Sequence, residues 1–375
     1  MNYNLKQFDT PLLMFDMRML DGKLNISNVN LCDNCESMYP LDLEPTTTGL
    51  ASWLKQRIIP SNRAYVQNFL AKLGLSEKDI KGIIDICKGL SLNDCYWVVD
   101  ANFSGTFSEY NLYDNNFSNV LSWMAFTGYG SYTKTTFRSS PEFTTNGMLA
   151  KCWRRVDGKI KLFKSGTTGA ANTGNEPYSE YYAYQVAKAM GLDAIEYGLS
   201  KWKGYLCSTC ELFTSKEIAY LPIGRLVKKT ENKGVVRYLK NLGDEYYQAY
   251  ADMVVFDAII CNTDRHLGNY GLLIDVKTNK QIKFAPIFDN GLSLLCYAMD
   301  DDLANLDKYI KTLRPALAND FIQSACEVMG EAQKDKLRKL LSFRFKKNPR
   351  YNLPNKRLKI LEGLVRSRTQ ELLML

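Results

Sequence analysis

Asn262-Thr263-Asp264-Arg265-His266-Leu267-Gly268-Asn269 is followed by Ala285-Pro286-Ile287-Phe288-Asp289-Asn290-Gly291, whose Asp289 stands twenty residues past Asn269. Taken alone, clusters of Asp, Asn and Gly mark turns, because their side chains bond local backbone and tolerate unusual φ. The flanks give the two stretches more meaning. Ahead of them, Tyr246 to Cys261 carries apolar residues at helical spacing, including Ala251, Val254, Val255 and Ala258. Between them, Tyr270-Gly271-Leu272-Leu273-Ile274-Asp275 and Gln281-Ile282-Lys283-Phe284-Ala285-Pro286-Ile287 bracket the polar Lys277-Thr278-Asn279-Lys280, the pattern of a β-hairpin. Limbs of nearly equal length, at about 3.3 Å per residue, return the chain to its starting end. The spacing therefore predicts that Asn269 and Asp289 meet beside Asp264.

A carboxylate, a carboxamide five positions on and a second carboxylate form a set with a definite chemistry. Phosphoryl transfer needs a carboxylate near the acceptor hydroxyl and oxygen ligands that hold Mg²⁺ against nucleotide phosphates. The two segments can supply all of these, so the sequence points to a kinase. His266 is the one histidine in the chain.

The composition agrees with a folded chain of more than one lobe. There are 375 residues, 46 % of them hydrophobic and 23 % charged, ordinary values for a soluble globular protein. No apolar run approaches the roughly 18 residues that cross a bilayer. The start, Met1-Asn2-Tyr3-Asn4-Leu5-Lys6, lacks the layout of a signal peptide, so a cytoplasmic location is expected, with a secreted effector as the alternative. Ten scattered cysteines suit a reducing compartment. Cys32/Cys35 and Cys207/Cys210 have C-x-x-C spacing, but a Cys₄ zinc site would need both pairs to meet, and ordinary thiols are the better reading. The net charge of +8 includes the late basic runs 334–339 and 344–350. These read as a solvated helix face, or else as a docking surface for an acidic partner. No zinc finger, recognition-helix pattern or aromatic stacking motif marks a nucleic-acid reader.

Along the chain, Met14 to Leu24 reads as a strand reaching an Asp-Gly turn, and helices are expected at 64–73 and 77–88. The stretch 101–140, rich in Ser, Thr, Asn, Gly and aromatics, yields no assignment. Met148–Val156 and Ile160–Lys164 bracket Asp157-Gly158-Lys159, a two-strand signal. Pro177-Tyr178-Ser179-Glu180 opens a helix through Met190 that Gly191 ends, and strands follow around Tyr205–Phe213. Further helices are expected at Tyr246–Cys261, Leu303–Leu313, Pro315–Met329, Glu331–Arg344 and Asn355–Leu373. The fold class is α+β. It divides into an N-terminal subdomain (1–135), a strand-rich nucleotide-binding lobe (136–225) and a helical lobe with the catalytic segment (226–375).

The residues resemble the HipA-like serine/threonine kinases, a branch with the bilobal protein-kinase fold. The resemblance covers residues 140–295. The family's catalytic pattern Asn-x-Asp-x-His-x-x-Asn reads here Asn262, Asp264, His266, Asn269, and its metal aspartate after Ala-Pro-x-x reads Asp289. The resemblance implies ATP and Mg²⁺ as cofactors. It makes Asp264 the residue that orients or deprotonates the acceptor hydroxyl, Asn269 and Asp289 the metal ligands, and His266 a brace of the loop. Lys164 would contact the nucleotide phosphates and Glu180 would steady that lysine. Thr145, Asn146 and Gly147 fall in the phosphate-covering loop, without the family's Gly-x-Gln core. Glu211 and Phe213 fall at the hinge that meets adenine through backbone. Thr144 stands where the family carries an autophosphorylated serine. Arg265 could balance carboxylates, touch phosphate or lie at the surface.

Members of this family include toxins neutralised by a DNA-binding antitoxin and others that act alone, so an antitoxin-like partner is one expectation and a free-standing effector another. The resemblance leaves the protein substrate open. Asp-Arg-His-x-x-Asn also resembles the loop of phosphoinositide lipid kinases, and a kinase-shaped binding module without catalysis is the non-enzymatic alternative.

Overall fold

The computed structural model describes residues 1–130, 140–227 and 232–375. The expected subdomain boundary at 135 lies outside the described residues. The chain forms two compact units. The first comprises Met1–Lys164, Glu211–Leu221 and Leu273–Ile282; the second comprises Ser165–Cys210, Pro222–Leu272 and Lys283–Leu375.

In the first unit, β1 (Asn2–Gln7), β2 (Thr10–Leu20), β3 (Lys23–Leu31) and β4 (Tyr96–Asp100) form an antiparallel sheet in the order β3-β2-β1-β4. The Asp-Gly turn read from the sequence joins β2 to β3, with Asp21 and Gly22 at φ +50° and +71°. Two left-handed residues match the twist of the strands they connect. Alternation puts Leu13, Phe15 and Met17 on the buried face while Met14 is exposed. That face packs on the short helices Thr47–Lys55, Val66–Ala71 and Ile80–Cys87 through Leu50, Trp53, Phe69, Ile83 and Ile84. A second cluster gathers Trp97, Phe107, Leu112 and Val276. The unassigned stretch contributes helices at Phe107–Tyr110 and Asn119–Thr127. β5 (Lys151–Val156) and β6 (Lys159–Ser165) pair around Asp157-Gly158, as their spacing predicts.

The second unit carries the hairpin β7 (Gly198–Trp202) and β8 (Tyr205–Glu211) and is otherwise mostly helical. Helix Glu176–Met190 ends at Gly191 in the left-handed region, φ +79°. Helix Asp244–Ile260 packs on helix Asn355–Met374. Phe256, Ile259 and Ile260 on the first and Leu361, Leu364 and Val365 on the second are buried. Three expected helices are shorter than their periodicity suggests. Leu303–Leu313 becomes Asp300–Ala304 and Leu306–Ile310, Pro315–Met329 becomes Phe321–Cys326, and Glu331–Arg344 becomes Glu331–Arg338. In the second case Asp320 caps the helix through its bond from the Gln323 N–H, so Pro315 to Asn319 are left as turns.

The predicted hairpin is present. β9 (Ile218–Pro222), β10 (Gly271–Asp275) and β11 (Gln281–Phe284) lie in the order β11-β10-β9. The Asp275 N–H donates to the Lys280 carbonyl at 2.9 Å, and the Ala285 N–H donates to the Gly271 carbonyl at 2.9 Å.

Candidate functional site

Helix Asp244–Ile260 stops because Cys261 takes a left-handed conformation, φ +52°, and the chain turns into the 262–269 segment. Asn262, fully buried, holds that turn with both ends of its carboxamide. Its Nδ2 donates to Asp257 Oδ1 at 3.0 Å, and its Oδ1 accepts the Asp264 N–H at 3.1 Å. Thr263 donates from its N–H and its hydroxyl to the Leu292 carbonyl, at 3.0 and 3.1 Å. Asn269 Nδ2 donates to the Asp264 carbonyl at 2.9 Å, which ties the asparagine to the base of the candidate catalytic residue. The His266 side chain is exposed and its Nδ1 accepts the Gly268 N–H at 3.0 Å.

Arg265 joins the pieces. It is buried, so the surface placement left open by the sequence does not hold. Nε donates to Asp257 Oδ2 at 2.9 Å and Nη2 to Asp257 Oδ1 at 3.0 Å, a two-bond carboxylate clamp. Nη2 also donates to Asn290 Oδ1 at 2.6 Å. Nη1 donates to the Asn269 carbonyl at 3.1 Å and to the Phe288 carbonyl. One nitrogen thus binds the backbone of Asn269 and that of the residue before Asp289. Burial alone would lower the Arg265 pKa, but the Asp257 charge and bonds outweigh it and raise it.

Asp289 adopts φ +57°, a left-handed conformation that costs a non-glycine residue strain and that clusters at functional sites. Its N–H donates to the Tyr197 hydroxyl at 3.1 Å. Burial first, then the charges of Glu180 and others including Asp289, push the Tyr197 pKa well above the usual tyrosine value. Glu180 is fully buried, and its Oε2 accepts the Asn290 N–H at 2.7 Å. The second unit therefore gathers Asp264, Asn269, the Asp289–Asn290 segment and Glu180 into one bonded framework. The Asp289 carboxylate and the Asn269 carboxamide are the donor types that suit a hard cation such as Mg²⁺, which takes one or two protein carboxylates and completes its shell with water and phosphate oxygens.

The other predicted residues belong to the first unit. Lys164 on β6 lies directly opposite Lys151 on β5, and both are buried. Sequence reading passed over Lys151 and the Asp257–Arg265 clamp. For Lys151 a signal existed, an inward lysine at the foot of the loop; for the clamp, Arg265 was expected to balance carboxylates, but nothing singled out Asp257 as its partner. Lys151 Nζ donates to the Asn146 carbonyl at 2.8 Å, and Gly147 stands at φ +94°. That φ is one L side chains rarely adopt, so the backbone here favours glycine. Thr145 Oγ1 donates to the Pro141 carbonyl at 2.7 Å and accepts from Trp153 Nε1 at 3.0 Å. Thr144 is buried and its hydroxyl donates to the Leu90 carbonyl at 2.8 Å. Glu211 is exposed and pairs with Lys159 at 2.8 Å. Phe213 packs edge-on to Tyr220, 5.5 Å between ring centres.

A mixed α+β chain with this framework has the fold of HipA-type kinases. The structure titled as the Shewanella oneidensis toxin–antitoxin HipA, HipB and operator DNA complex superposes over 100 % of this chain and 99 % of its own, with a TM-score of 0.54 and 12 % identity. In sequence, the chain is 29 % identical over 157 residues to the serine/threonine-protein kinase CtkA of Helicobacter pylori, covering 36 % of this chain and 46 % of that protein. The match thus spans about half the length of that relative. The crystal structure of the Helicobacter pylori proinflammatory kinase CtkA gives a TM-score of 0.46 at 18 % identity, over 60 % of this chain and 91 % of that one. No protein-family model matches. The chain resembles the HipA-like and CtkA-like serine/threonine kinases. Among the described residues, no helix is long and apolar enough to cross a membrane.

Proposed function

We propose that this protein is an ATP- and Mg²⁺-dependent serine/threonine protein kinase of HipA-like type. The observation that carries the reading is the Arg265 guanidinium, whose Nη1 binds the backbone of both Asn269 and Phe288 and so holds the two candidate metal ligands to one framework with Asp264. In this reading Asp264 receives or orients the proton of the acceptor hydroxyl, a role worth roughly 10²–10⁴-fold for a positioned acid–base group. Asn269 and Asp289 would hold Mg²⁺, which would neutralise charge on the transferring phosphoryl group. Lys164 would meet the phosphates as a point charge, Asn146 and Gly147 would offer them backbone N–H groups while the Thr145 N–H stays with the Pro141 carbonyl, and Glu180 and His266 fix the segments that carry the ligands.

The bilobal division at residues 136–225 and 226–375 belongs to the same proposal, as do self-phosphorylation and an antitoxin-like partner. The Thr144 hydroxyl is occupied by the Leu90 carbonyl, so phosphorylation there requires that segment to open first.

Labelled ATP with Mg²⁺, followed by mass spectrometry of the chain itself and of added cell proteins, tests the reading. Transfer to serine or threonine is expected. Asp264→Asn should remove it while the thermal midpoint and ATP binding persist, and full activity in that variant would end the assignment. Transfer to phosphoinositide alone would make the lipid-kinase alternative correct.

A further inference from the structure

The second unit contains a cavity of about 520 Å³ to which Asp264, Asn269, Asp289 and Glu180 contribute no wall. The volume falls inside the roughly 300–1,000 Å³ of small-molecule pockets. Its walls come from helix Asn232–Leu242, helix Asp244–Ile260 and the turns that replace the expected helix at 315.

Three features define what it would hold. Tyr247, Tyr250, Tyr270 and Phe321 make much of the surface aromatic, with Met253 and Val254 beside them. The exposed Arg237 and Lys240 bring positive charge to the wall, and Lys240 Nζ lies 4.4 Å from the Tyr247 ring centre. Against them stands one exposed carboxylate, Glu327, which accepts from Gln323 Nε2 at 3.3 Å. At the floor, Asp257 and Arg265 are already clamped together, so the floor presents a cancelled charge pair. A flat apolar body against the rings with an anionic group toward Lys240 and Arg237 satisfies all three. A cationic ligand would meet two like charges.

The same floor residues, Asp257, Asn262 and Arg265, are those whose bonds fix the 262–269 segment. We propose that this cavity is a binding site for a small aromatic anion, and that its occupant stiffens the 262–269 segment through the Asp257–Arg265–Asn262 floor. The proposal does not depend on the kinase reading, and its tests are made without nucleotide.

1-Anilinonaphthalene-8-sulfonate titrated into the full chain should show saturable fluorescence at one site per chain. Val254→Trp, and independently Ala318→Trp from another wall, should each fill the space and weaken binding at least tenfold with the thermal midpoint retained. Lys240→Glu should weaken it severalfold, and Asp264→Asn should leave it unchanged. Indole-3-acetate should displace the probe better than neutral indole or decanoate, which separates an aromatic anion from a fatty acid. Hydrogen exchange of the 262–269 amides should slow when the probe is bound. The proposal is overturned if probe binding survives both tryptophan variants, if decanoate competes best, or if exchange in that segment does not change.

Discussion

Two buried arginines face carboxylates in different units, Arg265 in the second and Arg63 in the first, and these two pairs are built to different standards. In the second unit, all five N–H groups of Arg265 find acceptors, and Asp257 receives two parallel bonds. In the first unit, Arg63 approaches Glu142 only to 3.8 Å. Arg63 Nη1 donates to the Thr145 carbonyl at 2.9 Å and Nη2 to the Lys151 carbonyl. Its Nε and Glu142 Oε2 have no hydrogen-bond partner. The titration shifts follow. Arg265 is raised because Asp257 overcomes its burial, whereas burial lowers Arg63 and pushes the Glu142 carboxyl up to about 7. The bond inventory thus separates a pair in which the arginine charge is held from one whose carboxyl keeps its proton to higher pH.

The contrast breaks most directly by removing each arginine. Arg265→Met leaves Asp257 buried without its countercharge and takes away the tie between Asn269 and Phe288, so a loss of about 3–5 kcal/mol is expected. Arg63→Met should cost clearly less, because a buried carboxyl that has lost its partner can take up a proton instead of staying charged. Thermal or urea unfolding of both variants at pH 7 measures the difference. Equal losses would mean that the bond inventory does not set the strength of the two pairs.

The second way to sharpen it uses pH. The Glu142 pKa is raised in the folded chain, from 4.5 to about 7, so between those values the folded state binds more protons than the unfolded one. This group's contribution is therefore most favourable below pH 4.5, declines as pH rises toward 7, and is constant above. A shift of this size corresponds to about 3 kcal/mol across that window. Glu142→Gln keeps an oxygen able to accept from Trp153 N–H and Ser122 Oγ, the bonds present at 3.0 and 3.2 Å, but cannot titrate. The slope of thermal midpoint against pH between 5 and 7 should flatten in that variant. An unchanged slope would show that other groups carry it.

These pairs also mark where sequence reading stops. The hairpin at 270–287 and helix Asp244–Ile260 were legible because periodicity and turn chemistry are local. Asp264, Asn269 and Asp289 were picked out by residue type and by a spacing that a hairpin converts into proximity. Arg265 was visible, but its partner Asp257 lies eight residues back, across a left-handed turn at Cys261 that no glycine announces. Arg63 and Glu142 are separated by 79 positions, and no local signal joins them. The helix expected from Pro315 failed for another reason. Its apolar spacing is real, but Pro315 to Ala318 line a cavity as turns instead of a core as a helix.

The smallest effect is expected at the exposed end of the same scale. Glu211 bonds Lys159 at 2.8 Å and lies 3.8 Å from Lys161, with about half of its side chain in water. Its pKa is lowered, chiefly by the Lys159 hydrogen bond, yet exposed pairs of this kind contribute about 0–1 kcal/mol because solvent screens them. What this position is proposed to offer a nucleotide is its backbone, which no side-chain change removes. Glu211→Ala should thus leave the thermal midpoint nearly unchanged and ATP affinity within about twofold of the parent, a difference of less than about 0.5 kcal/mol. A tenfold loss of affinity with the fold intact would mean the carboxylate itself meets the nucleotide, and the hinge would have to be placed elsewhere in the chain.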